Sequence, residues 1–548
     1  ILNSSLLNLV YNHTTLQKST FPINNHEVPH QSPYLSLSML FCYTGVGAAT
    51  TRPKTVELAL MSSVGNTEGI QYFVNLTVGT PGQPQTLLID TGSSETFFFA
   101  SNASLYNSSS DYVDSTFNSS KSSTFEMIDS GAFHASFMLG SVWFKGDYVR
   151  DAVQLSIDLM VQKLTFGLAN KLKERFKPYT GIMGLAYSSN IHLTRHHKME
   201  LPPTFVEGLV QAGVISSRLY SIYLNTLDQY GSILFGGIDT KKYEGQLTTL
   251  NMRPSRKTGK VDNINLYLEE VKMKPYNESY QPIVRSTSDK KFETLIDTGT
   301  PDWQLPFDAW RQVVRYARAE PSKGIWPGVP EGFFVKACSE VARGIANTTH
   351  FEVTFAGNGS NTAVLRLELA DLFSPITTGD GSAATDGSGR PMCWLRIMPS
   401  LGPDYTTSSS VIRAGYWVFD LDNGQVSLAQ ANLGANSSNV VQVDAGPDGL
   451  RKAVNNHLKA EIQTNKVEGQ MSALATYELS TATNTVGYAT GAESYPTPTG
   501  TGIPSHSGSK VHVRRYESVA AAAMVKLEAS GAWVLCVAVV VMAATLAI

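Results

Sequence analysis

Two short segments each end an apolar run with the tripeptide Asp-Thr-Gly, a pattern that could deliver a reactive carboxylate. The first is 86–94, with sequence TLLIDTGSS, and the second is 294–300, with sequence TLIDTGT. Asp297 therefore follows Asp90 by 207 residues. Each leucine and β-branched run predicts a buried strand that ends in a tight turn. One copy is typical of an ordinary turn, but two copies this far apart indicate two similar half-molecules that meet at a shared cleft.

Paired carboxylates have a specific chemical use. Hydrolysis of a peptide bond needs an activated water and a proton for the leaving nitrogen, and two carboxyl groups that share one proton supply both. Two like charges a few ångströms apart do not ionise together readily, so the apparent pKa values belong to the pair. This chemistry requires no metal and no other cofactor, and we expect none.

Length and composition limit the functional classes to which the protein can belong. The chain has 548 residues, of which 42% are hydrophobic and 16% charged, enough for two cores plus appended segments. The net charge of -3 gives no sign of the basic surface that nucleic-acid binding needs, and the sequence contains no familiar nucleic-acid-binding module. We therefore expect no nucleic-acid partner.

The cysteines and glycosylation sequons indicate an oxidising, secretory setting. Two of the four cysteines, Cys42 and Cys536, lie in apolar terminal segments, so Cys338 and Cys393 remain available for one disulfide. Asn-Xaa-Ser/Thr sequons begin at Asn75, Asn102, Asn107, Asn118, Asn277, Asn347, Asn358 and Asn436, among other positions.

A family resemblance emerges from several segments in order: 71–98, 117–125, 181–187, 235–245 and 296–306. Together they resemble the pepsin family (A1) of aspartic endopeptidases, in a fungal, yapsin-like form, over about residues 68–432. The resemblance implies an all-β, bilobal, pepsin-like fold with one catalytic aspartate from each lobe, Asp90 and Asp297. It also implies peptide or protein substrates.

The resemblance also assigns supporting roles. It predicts that Thr91 and Thr298 brace the opposite lobes, and that Ser93 and Thr300 hydrogen-bond the carboxylates. Backbone amides would approach the carboxylates at Gly92 and Gly299. The pair Cys338 and Cys393 matches the disulfide of the second lobe. The strand that supports the first aspartate matches 182–184, and its counterpart in the second lobe is predicted at Leu401-Gly402, followed by an inserted Ser/Thr stretch.

Some residues depart from the family pattern. Phe137 occupies the position of the flap tyrosine, and Phe97 the position of the wall tryptophan, so the hydrogen bond between flap and wall would be lost. Phe97 could belong either to the core or to the floor of a substrate pocket. Two functions therefore stay open: an endopeptidase active at acid pH, or a weak or inactive surface protein that binds peptides or wall components.

The domain prediction divides the chain into five parts. Residues 1–66 form a leader or pro-segment region, in which the apolar run 34–49 is either a signal sequence or part of a pro-segment. The two lobes span 67–250 and 251–434. Residues 435–519 contain an amphipathic helix, marked by Leu450, Val454, Leu458 and Ile462, and a disordered Ser/Thr-rich stalk.

Residues 520–548 are the fifth predicted part, an anchor signal. The unbroken apolar run 531–548 favours a glycolipid (GPI) anchor signal over a membrane span. We accordingly expect a monomer, attached through its lipid to the extracellular face of the plasma membrane or to the cell wall.

Overall fold

The structure is a computed structural model, and it describes residues 54–63, 69–105, 116–137, 141–173, 179–191, 200–256, 258–322, 333–344, 348–378, 382–400, 402 and 404–457. The apolar run 34–49, the Ser/Thr-rich stalk and the predicted anchor signal lie outside these residues. Within them, no helix is long and apolar enough to cross a membrane.

Strands make up about half of the described chain. The first lobe contains β1 Val56–Ser63, β2 Gln71–Val78, β3 Gln83–Asp90, β4 Phe97–Leu105, β5 Glu126–Phe137, β6 Val142–Ser156, β7 Leu159–Leu172 and β8 Gly181–Gly184. Four strands follow between the lobes: β9 Leu219–Tyr223, β10 Gly231–Phe235, β11 Gly237–Asp239 and β12 Tyr243–Asn251.

The second lobe is built from shorter strands. These are β13 Asn265–Lys274, β14 Gln281–Arg285, β15 Phe292–Ile296, β16 Trp303–Leu305, β17 Glu320–Pro321, β18 Phe334–Ala337, β19 His350–Ala356, β20 Thr362–Glu368, β21 Phe373–Pro375, β22 Met392–Leu395, β23 Ile397–Pro399 and β24 Asp404–Thr407. The closing strands are β25 Gly415–Asp420, β26 Gln425–Ala431 and β27 Val440–Gln442. The helices are α1 Phe205–Gln211, α2 Phe307–Ala317, α3 Cys338–Arg343, α4 Ser409–Ile412 and a last helix, α5, at 449–457.

One sheet joins the two lobes. Thirteen strands of the described chain run in the order β12-β26-β25-β9-β10-β1-β2-β3-β8-β4-β7-β6-β5, so the closing strands β25 and β26 pair with β9 and β12 and continue the sheet of the first lobe. The main sheet of the second lobe has the order β20-β19-β13-β15-β24, with β14 also paired to β13. The all-β prediction is confirmed.

Side-chain alternation gives the joining sheet two buried faces. On one face, Tyr220 and Trp417 belong to the large core that fills both lobes. The other face forms a separate group, here called the rear core: Leu219, Tyr223, Ile238, Leu247, Tyr416, Val418, Ala429, Ala431, Val443, Leu450, Ala453 and Val454.

The folded body extends past both predicted lobe boundaries. Strand β1 precedes residue 67 and pairs with β10 and β2, as in the register pairs Val56↔Phe235 and Met61↔Phe73. After residue 434, β27 pairs with β11, and α5 contributes Leu450 and Val454 to the rear core. Of the four residues that mark the predicted amphipathic helix, Leu450 and Val454 lie in α5, whereas Leu458 and Ile462 lie outside the described residues.

The predicted disulfide between Cys338 and Cys393 is present. It joins the first residue of α3 to strand β22, with the two Cα atoms 5.1 Å apart. The bond closes a loop of 55 residues in the second lobe, which restricts the unfolded chain.

Candidate active site

Each Asp-Thr-Gly turn follows a buried strand that has a parallel neighbour. In the first lobe β3 pairs with β8, which places Asp90 opposite Gly184. In the second lobe β15 pairs with β24, which places Ile296 opposite Thr407. The amide of Asp297 donates to the Thr407 carbonyl oxygen at 3.0 Å. The two lobes therefore present their aspartates at equivalent strand ends.

The supporting strand of the second lobe differs from the sequence prediction. Leu401-Gly402 was the predicted counterpart of β8, but β24, inside the supposed Ser/Thr insertion, pairs with the aspartate strand, and Gly402 is exposed. The sequence prediction was wrong because it required apolar residues before a glycine. In the fold, Thr407 and Thr294 are fully buried, and their hydroxyls satisfy each other at 2.9 Å, so threonine tolerates burial there.

The two carboxyls have equivalent hydrogen-bond partners. Gly92 N donates to Asp90 Oδ1 at 2.9 Å, and Ser93 Oγ donates to Asp90 Oδ2 at 2.5 Å. The second lobe repeats both bonds, from Gly299 N to Asp297 Oδ1 at 2.8 Å and from Thr300 Oγ1 to Asp297 Oδ2 at 2.7 Å. The Asp90 and Asp297 carboxyls lie close enough for the charge of one to act on the other. The sequence-predicted residues thus converge on one pair.

The surroundings of the pair favour one retained proton. Asp90 is 5% exposed, whereas Asp297 is half-buried. Burial, followed by the negative charge of Asp297, raises the pKa of Asp90 well above its ordinary value, while the bonds from Ser93 and Gly92 act in the opposite direction. The pair as a whole therefore favours the retention of one shared proton.

Two buried threonines lock the lobes together beneath the carboxyls. Thr91 and Thr298 have no exposed surface. The Thr298 amide donates to Thr91 Oγ1 at 3.0 Å, and the Thr91 amide donates to Thr298 Oγ1 at 3.1 Å. Each hydroxyl then donates into the opposite lobe, to Ile296 O at 2.7 Å and to Ile89 O at 2.9 Å. All four bonds cross the junction between the lobes, so the distance between the aspartates depends on both lobes being folded.

The hairpin of β5 and β6 carries the residue predicted for the flap. Phe137 is half-buried and pairs with Val142, while the intervening residues 138–140 lie outside the described chain. The Phe137 ring lies 5.9 Å from the Phe144 ring, and Phe144 lies 5.0 Å from Phe97. Phe144 thus bridges the flap to the wall where the resemblance would place a hydrogen bond.

Phe97 belongs to the core. Its side chain has no exposed surface, and it packs 5.1 Å from Phe133 and 6.0 Å from Phe99, measured between ring centroids. Of the two alternatives left open by the sequence, the structure thus places Phe97 among buried aromatic rings.

A buried ion pair beside the second aspartate was missed by the sequence reasoning. Arg396 Nε lies 3.0 Å from Asp302 Oδ1, and Arg396 Nη2 donates to Asp302 Oδ2 at 3.1 Å. The Arg396 side chain is 2% exposed. A single arginine inside the apolar run 392–397 was the available signal, but the run does not reveal that its partner is Asp302.

No cluster of three or more side chains of the metal-binding types occurs in the part of the chain that the structure describes. The groups that meet at the pair are carboxyls, hydroxyls and backbone amides. Such a donor set suits proton transfer to and from a bound water.

Comparisons with known proteins agree with this geometry. The family model described as eukaryotic aspartyl protease matches residues 71–431. The probable aspartic-type endopeptidase opsB of Aspergillus fumigatus is 28% identical over 387 residues, covering 70% of this chain and 73% of the relative. The aspartic proteinase yapsin-3 of Saccharomyces cerevisiae is 28% identical over 390 residues, covering 67% of this chain and 68% of the relative.

A solved structure supports the fold independently. The crystal structure of an aspartic proteinase from Irpex lacteus superposes with a TM-score of 0.51 at 20% identity, covering 70% of this chain and all of that one. The predicted bilobal, pepsin-like architecture is confirmed.

Proposed function

The chain belongs to the eukaryotic aspartyl protease family and is an aspartic-type endopeptidase, and we propose that Asp90 and Asp297 hydrolyse its peptide substrates at acid pH. The observation that carries this proposal is the pairing of the two carboxyls, each held by one backbone amide and one hydroxyl. Such a pair holds one proton and one negative charge at mildly acid pH.

The reaction follows from that shared proton. A water between the carboxyls gives a proton to the ionised carboxylate, and its oxygen forms a bond to the carbonyl carbon of the substrate. The protonated carboxyl stabilises the developing oxyanion, and the pair then returns a proton to the leaving nitrogen as the C–N bond breaks. Both carboxyls act as one couple, which shares the proton.

The decisive experiment is cleavage of a denatured protein between pH 3 and 6. We expect Asp90→Asn and Asp297→Asn to lower kcat by about 10²–10⁴-fold or more, the usual worth of a general acid or base. A pepstatin-type inhibitor should abolish cleavage by the unsubstituted protein. Cleavage that survives the double substitution, or that resists the inhibitor, would contradict the mechanism.

The flap motivates a second candidate function. Phe137 has no hydroxyl, and its link to the wall runs only through ring contacts with Phe144, which fits a weak or inactive protein that binds peptides. Turnover across a broad peptide library separates the candidates, since a binding protein would retain peptides without cutting them. Phe137→Tyr should raise kcat/KM if the flap limits catalysis, and Phe137→Leu serves as the matched control without a ring.

We further propose that the protein enters the secretory pathway and is held at the outer cell surface by a lipid anchor. The Cys338–Cys393 disulfide suits an oxidising compartment, and the sequons and the apolar run 531–548 suit secretion and a glycolipid anchor. Treatment of intact cells with a phosphatidylinositol-specific phospholipase should release the protein. Retention in the membrane after this treatment, under conditions that release other glycolipid-anchored proteins of the same cells, would argue for a membrane span instead.

We propose that the enzyme is active as a monomer. One chain supplies both aspartates and both bracing threonines, so a second copy is not needed to complete the site. Activity should therefore scale linearly with protein concentration, and it should elute with monomer in size-exclusion chromatography.

A further inference from the structure

The loop behind the first aspartate is held by a close contact between two backbones. Gly184 lies opposite Asp90 in the parallel pairing of β8 with β3. A Cβ placed on Gly184 would stand 2.4 Å from the carbonyl carbon of Ser94 and 2.7 Å from the carbonyl oxygen of Glu95. The contact fixes the loop that carries Ser93, the hydroxyl donor to Asp90. Any side chain at position 184 would push this loop away.

The second lobe has a serine where the first has this glycine. Ser408 follows Thr407, whose partner in the parallel pairing is the residue before Asp297, so Ser408 corresponds to Gly184. It has no exposed surface, and its hydroxyl finds no hydrogen-bond partner within the residues that the structure describes. Because its Cβ fills the space that the backbone contact would need, the loop 300–302 cannot pack as its counterpart does.

A backbone hydrogen bond supports this correspondence. The Ser409 amide donates to the Thr300 carbonyl oxygen at 3.0 Å. In the first lobe the Leu185 amide donates to the Ser93 carbonyl oxygen at 2.9 Å. Each accepting residue is the one whose hydroxyl holds an aspartate. The two loops therefore share this anchor, and they differ in the contact that follows it.

A buried ion pair holds the second loop instead. Arg396 Nε lies 3.0 Å from Asp302 Oδ1, and Nη2 donates to Asp302 Oδ2 at 3.1 Å. The guanidinium carbon lies 5.2 Å from the centre of the Trp394 ring. Gly69 packs so closely that a Cβ there would stand 2.4 Å from Nη2. A two-pronged pair packed against a ring and a backbone has little freedom, so Asp302 is fixed two residues after Thr300.

We propose that Arg396 is a positioning residue for Asp297. Through Asp302 it fixes the loop that carries Thr300, and it thereby takes the part that the Gly184 contact has in the first lobe. Thr300 Oγ1 donates to Asp297 Oδ2 at 2.7 Å, and a displaced loop would weaken that bond. Misplacing a reacting group by about 1 Å can lower a rate by about 10²-fold. The inference rests on the proposed catalytic function of the two aspartates.

The test follows peptide cleavage by Arg396→Leu from pH 2 to 7. The value of kcat is expressed per active site titrated with a pepstatin-type inhibitor, which removes the effect of any unfolded protein. We expect kcat to fall about tenfold or more while KM changes little, because the carboxyl acts on the transition state. The acid limb of the kcat/KM profile should move to higher pH, because the Thr300 bond favours the ionised form of Asp297.

A second ion pair of the same lobe provides the matched control. Arg253 Nη1 donates to Glu293 Oε2 at 2.6 Å, and the two side chains are 10% and 13% exposed. This pair lies at the start of β15, away from the loop 300–302. Arg253→Leu should therefore lower Tm without moving the acid limb. An equal movement of the limb in Arg253→Leu and Arg396→Leu would overturn the inference.

Thr300 allows the route of the effect to be tested. Thr300→Val removes the hydroxyl itself and should move the acid limb in the same direction as Arg396→Leu. Because both changes act through one hydrogen bond, the double variant should differ little from Thr300→Val alone. Fully additive losses in kcat would show that Arg396 does not act through Thr300, and would overturn the inference.

Ser408 allows a rescue experiment. In the Arg396→Leu background, Ser408→Gly should restore part of kcat, because the loop could then approach as it does in the first lobe. Ser408→Ala removes the hydroxyl but keeps the Cβ, so it should restore none. Equal kcat in the two double variants would overturn the exchange of a glycine contact for an ion pair.

Gly69 gives a second way to displace the guanidinium if Arg396→Leu fails to fold. Gly69→Ala keeps both charges, and it should lower kcat and move the acid limb as Arg396→Leu does. Gly389→Ala is its control, because the two glycines have φ of 91° and 81° and a Cβ on Gly389 meets nothing within 4 Å.

Two kinds of failure can be told apart. Unchanged kcat and an unmoved acid limb in Arg396→Leu, or in Gly69→Ala, would overturn this inference and leave the proposed function intact. A protein that cleaves no peptide, or that still cleaves after both aspartates are replaced, would overturn the proposed function and this inference with it.

Discussion

Gly92 of the first lobe lies directly against Asp297 of the second. A Cβ atom placed on Gly92 would stand 2.6 Å from the Asp297 carboxyl carbon, and one placed on Gly299 would stand 2.7 Å from Asp90 Oδ1. Each glycine therefore leaves the space that the carboxyl of the other lobe occupies. The two Asp-Thr-Gly turns form one interlocked unit rather than two adjacent sites.

Alanine at either glycine should disturb the carboxyl pair. Because the added methyl group would displace the opposite carboxyl, we expect Gly92→Ala and Gly299→Ala each to lower kcat by about 10²-fold. Circular dichroism should show an intact fold. Gly387→Ala is the control, since a Cβ there meets nothing within 4 Å. Unchanged kcat in Gly92→Ala would contradict the interlocked arrangement.

The raised pKa of Asp90 predicts a pH-dependent stability. Burial and the Asp297 charge make the folded protein keep a proton that the unfolded chain releases near its ordinary pKa of about 3.9. The free energy of unfolding should therefore fall as pH rises from that value through the folded pKa. Asp90→Asn removes this loss, so its Tm advantage over the unsubstituted protein should grow between pH 3 and 8.

A control separates this effect from a simple change of net charge. Asp289→Asn removes one negative charge from an exposed position and can be compared at each pH. A Tm difference for Asp90→Asn that stays constant across the pH range would show that the Asp90 proton is not linked to folding.

Replacing only one member of the buried ion pair between Asp302 and Arg396 should destabilise the fold. Arg396→Leu leaves the Asp302 carboxylate buried without its guanidinium, and we expect a loss of about 3–5 kcal/mol in the free energy of unfolding at pH 7. The double variant Asp302→Leu with Arg396→Leu should recover most of that loss. Denaturation in urea measures both. A double variant as unstable as Arg396→Leu alone would contradict the pairing.

A lower pH should reduce the loss of stability that Arg396→Leu causes. Burial raises the pKa of Asp302 and Arg396 opposes the rise, so removal of Arg396 lets the carboxyl take up a proton more readily. The destabilisation by Arg396→Leu should therefore be smaller at pH 4 than at pH 7.

The segment after residue 434 should behave as part of the enzyme body. Truncation after residue 434 removes Val443, Leu450, Ala453 and Val454 from the rear core, which should lower Tm and expose a surface that binds a hydrophobic dye. Truncation after residue 457 should leave both unchanged. Val454 is 2% exposed, so Val454→Asp should cost about 2 kcal/mol or more. Asn456→Asp, at an exposed position of the same helix, is the control.

Short-range sequence pattern was enough to find the two aspartates that the fold brings together. Apolar runs ending in Asp-Thr-Gly place a carboxyl at a strand end, because the period and the turn residues are local properties of the chain. The family resemblance then assigned the two bracing threonines and the disulfide, and the structure contains all of them.

Only the tertiary structure decided which surfaces meet. It showed that β24 supports Asp297, that Phe144 links flap to wall, and that Arg396 pairs with Asp302. It also showed that Asp90 is more buried than Asp297. Local periodicity reports that a residue is buried, but the identity of its partner depends on contacts between residues distant in sequence. Thr294 and Thr407, 113 positions apart, satisfy each other only after the chain has folded.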